Sequence, residues 1–413
     1  MRKFLLSLTI VFVACFFIGC AARSPGDYSP SPYPGRGGKD TAIGENGQGG
    51  SNENHQPAPG QLTASEWSDL ENYGFYLSLF ETNQDDKKGI FANYFMKGYF
   101  DTLNMVDVTV KNGENIVTGA VVRLLDGSDN IIYQGVTNAF GTAYLFPREN
   151  QLELIEKVTV IHGEESVTLD YVYSEDNASL EIDIETVDDK KEVIEIMFVI
   201  DTTGSMGDEI AYLKAEIDNV ISRVKATLTN TSIRLALLFY RDTGDQYVTR
   251  YFDFSTDIQA QKKNLARQSA SGGGDFEEAV DVALSEAVAK DWSTENSTKL
   301  IIHVLDAPPH YTQINMTRYF DAIYQASQKG IRMIPVASSG IDKYTEYLLR
   351  NEAMMTGGTY VFLTDDSGIG NDHLEASVGE TVVEYLNLLL VRVITEYHTG
   401  VKLEKVPYYN QDK

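Results

Sequence analysis

Residues 194–205 have the sequence IEIMFVIDTTGS, and this stretch decides the fold of the chain. Residues 193–200 are an almost unbroken apolar run, which is typical of a strand buried on both faces of a parallel sheet. The run ends at Asp201, and Thr203 and Ser205 follow at alternate positions. In open α/β sheets, ligands bind beyond the carboxyl ends of the strands. Carboxylate and hydroxyl oxygens suit Mg²⁺ or Ca²⁺, so the stretch predicts a site for a divalent cation.

Strands and helices alternate in the chain that follows this stretch. Apolar residues recur at steps of three and four over 210–228, which predicts an amphipathic helix. Further apolar runs predict strands at residues 233–240, 247–254, 299–305, 331–337 and 360–363. The strand at 247–254 is expected to lie at the edge of the sheet. Helices are predicted over 343–355 and from a capping box that begins at Ser377. The pattern predicts a doubly wound, mainly parallel α/β sheet over residues 190–400.

Two further segments carry candidate metal ligands. Residues 272–278 have the sequence GGGDFEE, in which Asp275 is expected to begin a helix with Phe276 as a core position. The run 299–305 ends at Asp306. By contrast, the RDTGD segment at 241–245 is interpreted as a plain turn, and neither His303 nor His310 has an evident partner.

These three segments, in this chain order, resemble the metal-ion-dependent adhesion site of von Willebrand factor type A domains. The resemblance covers residues 190–400, about half of the chain. It implies a Rossmann-like fold in which one divalent cation, Mg²⁺ or Ca²⁺, is held by Asp201, Thr203, Ser205, Asp275 and Asp306. A GGGD segment is typical of a subgroup of this family. Other members of the family have a metal-binding Thr in that loop. The resemblance also implies a protein ligand that offers an acidic side chain to the metal.

An enzymatic function is the alternative to this binding function. Residues 201–205 are superficially similar to the DKTGT motif of P-type ATPases, which would make Asp201 a phosphoaspartyl nucleophile, but Thr202 replaces the lysine. A metal-dependent hydrolase is the other form of this alternative. The sequence contains neither a G-x-S-x-G elbow nor a P-loop. We therefore interpret the chain as a non-catalytic binding protein.

The N-terminus predicts export. Arg2 and Lys3 precede an apolar run over 4–18, which is typical of a secretory signal peptide at residues 1–19. The sequence FIGC at 17–20 resembles a bacterial lipobox, which implies that Cys20 is acylated (a palmitate-type anchor) and becomes the mature N-terminus. An ordinary signal peptide with an incidental cysteine is the alternative. The expected location is the cell envelope, extracytoplasmic and lipid-anchored in the outer membrane or at the cell surface.

The residues between the signal peptide and the α/β sheet divide into three parts. Residues 20–60 are rich in Ser, Pro, Gly and Asn, which predicts a disordered tether. Residues 61–103 are predicted to be helical from a capping box at Thr63, with aromatic residues that pack rather than bind glycans or peptides. Residues 104–187 predict a small all-β sandwich of seven strands, similar to carboxypeptidase-regulatory-like domains, and residues 401–413 are a tail.

Composition excludes several classes of function. The formal net charge of -26 argues against nucleic-acid binding and against a polybasic membrane surface. Both cysteines lie within the first twenty residues, which excludes disulfides, thiolate zinc sites and cysteine nucleophiles in the folded part of the chain.

Overall fold

The structure is a computed structural model that describes residues 57–81, 89–95, 99–186, 192–207, 209–294 and 297–410. The predicted signal peptide, the acylation site Cys20 and nearly all of the predicted tether lie outside the described residues. The described residues belong to one unit of the chain, His55–Lys413. Among the described helices, none has the length and apolar character needed to cross a lipid bilayer.

The described residues form strands and helices that are connected by turns and by some longer loops. The strands in chain order are β1 (Thr63–Trp67), β2 (Val106–Asn112), β3 (Asn115–Ile116), β4 (Val121–Leu125), β5 (Ile131–Val136), β6 (Thr142–Leu145), β7 (Lys157–His162), β8 (Glu165–Asp170), β9 (Ser179–Asp183), β10 (Val193–Asp201), β11 (Ser232–Tyr240), β12 (Thr249–Ser255), β13 (Ser297–Leu305), β14 (Ile331–Ala337), β15 (Tyr360–Leu363) and β16 (Glu384–Tyr385). The helices are α1 (Tyr73–Ser78), α2 (Ile210–Thr227), α3 (Ile258–Ala266), α4 (Val280–Ala289), α5 (Gln313–Gln328), α6 (Lys343–Thr356) and α7 (Leu386–Thr399).

The main sheet confirms the predicted doubly wound α/β fold. Its strand order is β12-β11-β10-β13-β14-β15-β1-β16, and the five strands from β11 to β15 in this order run parallel to one another. β12 is an antiparallel edge strand, as its sequence predicts. β10 lies among the central strands, and all but its first residue is buried. The apolar run at residues 193–200 therefore forms a strand that is covered on both faces.

The two faces of the main sheet are covered by different helices. Alternate residues of β10, such as Ile196 and Phe198, pack with buried residues of α2 and α7. Met197 and Val199 point to the other face and pack with residues of α4, α5 and α6. Because successive side chains of a strand point to opposite faces, an unbroken apolar run serves both layers.

The predicted helix at Thr63 is wrong, because residues 63–67 form β1 of the main sheet. β1 lies between β15 and β16 and is antiparallel to both. The carboxylate of Glu216 on α2 accepts hydrogen bonds from the backbone N–H groups of Gly60, Gln61 and Leu62 at 2.8–3.1 Å, which holds the chain at the entry to β1. The α/β domain thus includes a strand from outside the predicted range of 190–400.

The aromatic residues of the 61–103 segment form packing contacts, in agreement with their interpretation as core residues. Tyr76, Phe91 and Phe100 are fully buried. Tyr347 of α6 lies between them, with its ring centroid 5.4 Å from that of Phe91 and 6.1 Å from that of Phe100. Only α1 is helical among the described residues of this segment.

Residues 106–183 form the predicted all-β sandwich. One sheet has the order β3-β2-β6 with β9 parallel to β2, and the other has the order β5-β4-β7-β8. Seven of these strands lie within a residue or two of the predicted positions, and the two-residue β3 is the additional one.

The sandwich packs against the helix ends at the amino edge of the main sheet. Tyr133 and Tyr324 of α5 make an edge-on ring contact with centroids 5.1 Å apart. Gly400 ends α7 in the left-handed conformation, and a Cβ at this position would lie 2.2 Å from the backbone oxygen of Ala139. Glycine is required there both by the positive φ of 68° and by the close approach of the sandwich.

Two further predicted helix starts are wrong. α4 begins at Val280, so Asp275 does not cap it and Phe276 is 44% exposed instead of buried. α7 begins at Leu386, and the backbone N–H of Ser377 donates to Glu346 Oε1 instead of opening a helix. In both cases the capping residue type is present, but tertiary contacts of the loop decide where the helix begins.

Candidate metal centre

Three loops meet at the carboxyl edge of the main sheet. β10 ends at Asp201, and Asp306 follows directly after the neighbouring strand β13. The glycine-rich loop lies against the loop after β10 through two backbone hydrogen bonds. Gly204 N donates to Gly272 O at 2.9 Å, and Ser271 N donates to Thr202 O at 3.0 Å.

The glycine-rich loop can approach this closely because Gly272 has no side chain. Gly272 has φ of 87°, a conformation that favours glycine. A Cβ on Gly272 would lie 2.4 Å from the carboxylate oxygens of Asp245, so a larger residue would displace this carboxylate. The carboxylate instead accepts a hydrogen bond from Gly273 N at 2.8 Å, which ties the loop after β11 to the same site.

Asp201, Thr203 and Ser205 lie together, as the sequence predicts. Asp201 Oδ1 accepts hydrogen bonds from the backbone N–H of Thr203 at 2.8 Å and from its Oγ1 at 2.7 Å. Thr203 Oγ1 lies 3.1 Å from Ser205 Oγ. Asp201 and Thr203 are fully buried, whereas Ser205 is exposed. Three oxygen-bearing side chains therefore lead from the end of the strand to the surface.

The carboxylate of Asp201 is in an unfavourable environment without a counter-charge. Burial and the nearby charge of Asp306 raise its pKa well above the usual range, although hydrogen bonds from Thr203 and the Tyr240 hydroxyl act in the opposite direction. Asp201 Oδ2 is buried and has no hydrogen-bond partner within 3.5 Å among the described residues. Asp306 itself is 4% exposed. Because two buried carboxylates repel each other when both are charged, the pair favours either a proton on one of them or a cation between them.

Glu278 adds a further carboxyl group that the sequence did not indicate. Burial, followed by the charges of Asp201, Asp242, Asp306 and Asp245, raises the pKa of Glu278 to about 9. Its Oε2 is buried without a hydrogen-bond partner in the described part of the chain. Its Oε1 lies 2.7 Å from the position that a Cβ on Gly273 would take.

Asp275 is exposed and lies with side chains from two other loops. Ligand atoms of Asp275, Asp242 and His310 lie within 4.8 Å of one another, a spacing that could hold a metal ion. His310 Nε2 is 2.7 Å from Asp242 Oδ1. Burial lowers the pKa of His310, but the hydrogen bond and charge of Asp242 outweigh this effect and raise it above the usual value.

The interpretation of residues 241–245 as a plain turn is wrong, because this turn contributes Asp242 and Asp245 to the site. His310 has a partner in Asp242, and His303 also has one, with its Nδ1 3.0 Å from Glu352 Oε1 in the core. The position of this turn in the sequence indicated that it could contribute to the site. It follows strand β11, which neighbours β10, so its polar residues emerge at the same carboxyl edge.

The donor set fits a hard divalent cation. The side chains that meet at the end of β10 offer carboxylate and hydroxyl oxygens, which are the ligands that Mg²⁺ and Ca²⁺ prefer. Asp201 Oδ2 and Glu278 Oε2 are buried without hydrogen-bond partners among the described residues, and their carboxyl groups lie near like charges whose repulsion a cation would relieve.

Comparisons with known proteins give a match for the α/β part of the chain. Residues 195–372 match the family model of the von Willebrand factor type A domain. A protein of Acanthamoeba polyphaga mimivirus, named as an ariadne-like RING finger protein, is 25% identical over 231 residues, which are 52% of this chain and 22% of that protein. An alpha-protein kinase of Dictyostelium discoideum is 28% identical over 125 residues, which are 30% of this chain and 20% of the kinase. This chain thus spans about a fifth of the length of each relative.

Among solved structures, the conserved hypothetical protein BatB from Bacteroides thetaiotaomicron is similar with a TM-score of 0.35 and 13% sequence identity. The similarity covers 49% of this chain and 98% of BatB.

Proposed function

Since residues 195–372 form a von Willebrand factor type A domain, a type that generally mediates protein–protein interaction, we propose that this protein binds a protein ligand through a divalent cation. The predicted ligands would hold the cation: Asp201, Thr203, Ser205, Asp275 and Asp306. The observation that carries the proposal is the buried Asp201 Oδ2, which has no hydrogen-bond partner among the described residues and lies near the charge of Asp306. Buried like charges are unfavourable without a compensating partner.

The residues of the metal centre have different roles in binding. Asp201 Oδ1 orients Thr203 through two hydrogen bonds, which leaves Oδ2 for the cation. Ser205 and the glycine-rich loop are exposed, so a partner can approach from solvent. When bound, Mg²⁺ or Ca²⁺ supplies a positive centre that accepts oxygen ligands. The ligand would therefore offer an acidic side chain.

A binding role accounts for the site better than the phosphoaspartyl or hydrolytic alternative. Asp201 has no exposed surface, and one of its oxygens is already held by Thr203. A nucleophile must reach a reacting atom of the substrate, whereas a metal ligand works from a buried position. The full chain should show no metal-dependent turnover on broad phosphatase and protease panels. A robust rate that is abolished in Asp201→Asn would favour the enzymatic alternative.

Binding of the cation is tested by thermal unfolding of the full chain in chelator and then in excess Mg²⁺, Ca²⁺ or Mn²⁺. At a free cation concentration a hundredfold above the dissociation constant, binding stabilises the fold by about 2.7 kcal/mol. Asp201→Asn keeps the size of the side chain but removes its charge, so this variant should lose most of the gain. The matched control is Asp321→Asn, which removes an exposed carboxylate on α5. An equal gain in Asp201→Asn and wild type would place the cation elsewhere.

Binding of a protein ligand is tested by capture from an envelope extract, with the retained proteins identified by mass spectrometry. The expected result is a ligand that is retained in Mg²⁺ or Ca²⁺, released by chelator and lost with Asp201→Asn. Retention that ignores both chelator and the substitution would show that the ligand does not use the metal centre.

The location that we propose for this interaction is the cell envelope, with the chain anchored by a lipid on Cys20. The proposal is supported by the signal-like run at residues 4–18 and the FIGC sequence at 17–20. Cys20→Ser should release the protein from membrane fractions. A variant that still sediments with membranes after a carbonate wash would show that the anchor lies elsewhere.

A further inference from the structure

A cleft lies at the amino edge of the main sheet, where the β-sandwich packs against the α/β domain. Its volume is about 370 Å³, and residues of both domains line it. The sandwich contributes Val136 and His162, and the α/β domain contributes Lys299 at the beginning of β13. Asp306 lies seven residue steps after Lys299 along β13, which is about 23 Å at ~3.3 Å per residue. The cleft is therefore separate from the metal centre.

The cleft is cationic in a strongly acidic protein. The chain has 60 Asp and Glu residues against 34 Lys and Arg residues. Nevertheless, Lys299, Lys329 and Arg332 line the cleft, and no Asp or Glu is among the described residues of its lining. This local reversal of charge favours a negatively charged ligand.

Two of the cations are held by backbone oxygens. Arg332 Nη1 donates to Thr356 O at 2.8 Å, and its Nη2 donates to Val136 O at 2.5 Å. Lys329 Nζ donates to Val288 O at 2.8 Å. These acceptors carry no net charge, so the positive charge at the cleft is not neutralised. Cations at helix C-termini are also common as capping groups, which by itself explains Lys329 and Arg332.

Helix capping does not explain Lys299, which lies on a strand. Its side chain makes no hydrogen bond or ion pair with any residue in the described part of the chain. Burial lowers the pKa of Lys299, as do the charges of Lys329 and Arg332, although the charge of Glu195 acts in the opposite direction. The adjacent carboxylate across the sheet is that of Glu195. Glu195 is engaged elsewhere, because it pairs with Arg234 and accepts a hydrogen bond from Ser293 N at 2.9 Å.

We propose that this cleft binds a small organic oxyanion, a molecule with phosphate or carboxylate groups, through Lys299 and Lys329 with Arg332 beside them. The volume lies within the range of small-molecule sites. Lysine and arginine form charge-assisted hydrogen bonds with both kinds of oxyanion. Because both domains line the cleft, a molecule bound there would contact the sandwich and the α/β domain at the same time.

The proposal is tested by calorimetric titration of the full chain in low-chloride buffer, after divalent cations have been removed with a chelating resin so that the metal centre does not contribute. The probes are inorganic phosphate, glucose 6-phosphate and citrate, which separate a phosphate from a carboxylate ligand. Saturable binding of at least one probe is expected, with a rise in melting temperature that depends on probe concentration. Lys299→Gln should weaken this binding at least tenfold.

The matched control is Lys225→Gln, which removes the same charge from an exposed position in the last turn of α2. It should bind like wild type. Lys329→Gln is the second variant, because its side chain is exposed and its loss should leave the fold intact; it should also weaken binding. The proposal is overturned if no probe binds saturably, or if Lys225→Gln weakens binding as much as the cleft variants do.

Discussion

The buried ion pair between Asp69 and Arg350 yields the sharpest prediction about how this chain holds together. Arg350 on α6 is fully buried, and Asp69 is 4% exposed. Arg350 Nε donates to Asp69 Oδ2 at 2.8 Å, and its Nη2 contacts Asp69 Oδ1. Trp67 of β1 also donates to Asp69 Oδ1, at 3.0 Å. The pair therefore joins the segment that enters the sheet as β1 to the helix layer of the α/β domain.

We expect Asp69→Asn to lower the free energy of unfolding by about 3 kcal/mol. Removal of one partner from a buried ion pair costs about 3–5 kcal/mol, because the other charge is left without compensation. The lower end applies here, since Arg350 keeps a hydrogen bond to Ser377 O at 2.6 Å and has Glu346 Oε1 at 3.7 Å. Such a loss is a large part of the ~5–15 kcal/mol that typically stabilises a protein.

The assay is urea unfolding followed by tryptophan fluorescence, since Trp67 is one of only two tryptophans in the chain and contacts Asp69 directly. The double variant Asp69→Asn/Arg350→Met should recover most of the loss, because it removes the orphaned charge while keeping an apolar side chain. The control is Glu71→Gln, which breaks an exposed pair with Lys402 and should cost less than about 1 kcal/mol. A loss in Asp69→Asn no larger than in this control would refute the reasoning.

Three other predictions concern the fold and its pH dependence. A fragment that starts at residue 187 should not unfold cooperatively in circular dichroism, because it lacks β1 from the interior of the main sheet, whereas a chain that starts at residue 57 should. Gly400→Ala should destabilise the chain by about 1–3 kcal/mol more than Gly163→Ala in urea unfolding. Both glycines have positive φ, but only a Cβ at position 400 would contact the sandwich, so equal losses would contradict this contact. Burial lowers the pKa of His373, but Glu209 and Asp365 outweigh this and raise it above its usual value. Its contribution to stability should therefore be complete below about pH 6.5 and be lost as the pH rises through the raised pKa, and this part of the pH dependence should be absent in His373→Asn.

Features that depend on residues close together in the chain could be predicted from the sequence. The apolar run that forms β10 identifies a doubly covered strand, because burial on both faces demands apolar side chains at every position. Thr203 and Ser205 follow Asp201 at intervals of two, so their oxygens meet in any tight turn after the strand. The sandwich strands were likewise predictable, since alternation and turn residues are local signals.

Contacts between residues that are distant in the chain were decided by the tertiary structure alone. Residues 63–67 carry a capping-box pattern, yet they form a strand because residues 360–363 and 384–385 supply backbone partners on both sides. Asp242 and His310 join the metal centre because the strands on either side of β10 deliver their loops to one edge, and Glu278 joins it because its backbone N–H donates to Pro308 O in the loop after β13. Lys299 becomes part of a cationic cleft only because the sandwich closes over the beginning of β13. Local sequence sets conformational preference, but hydrogen-bond partners and charges from remote segments decide among the conformations that it allows.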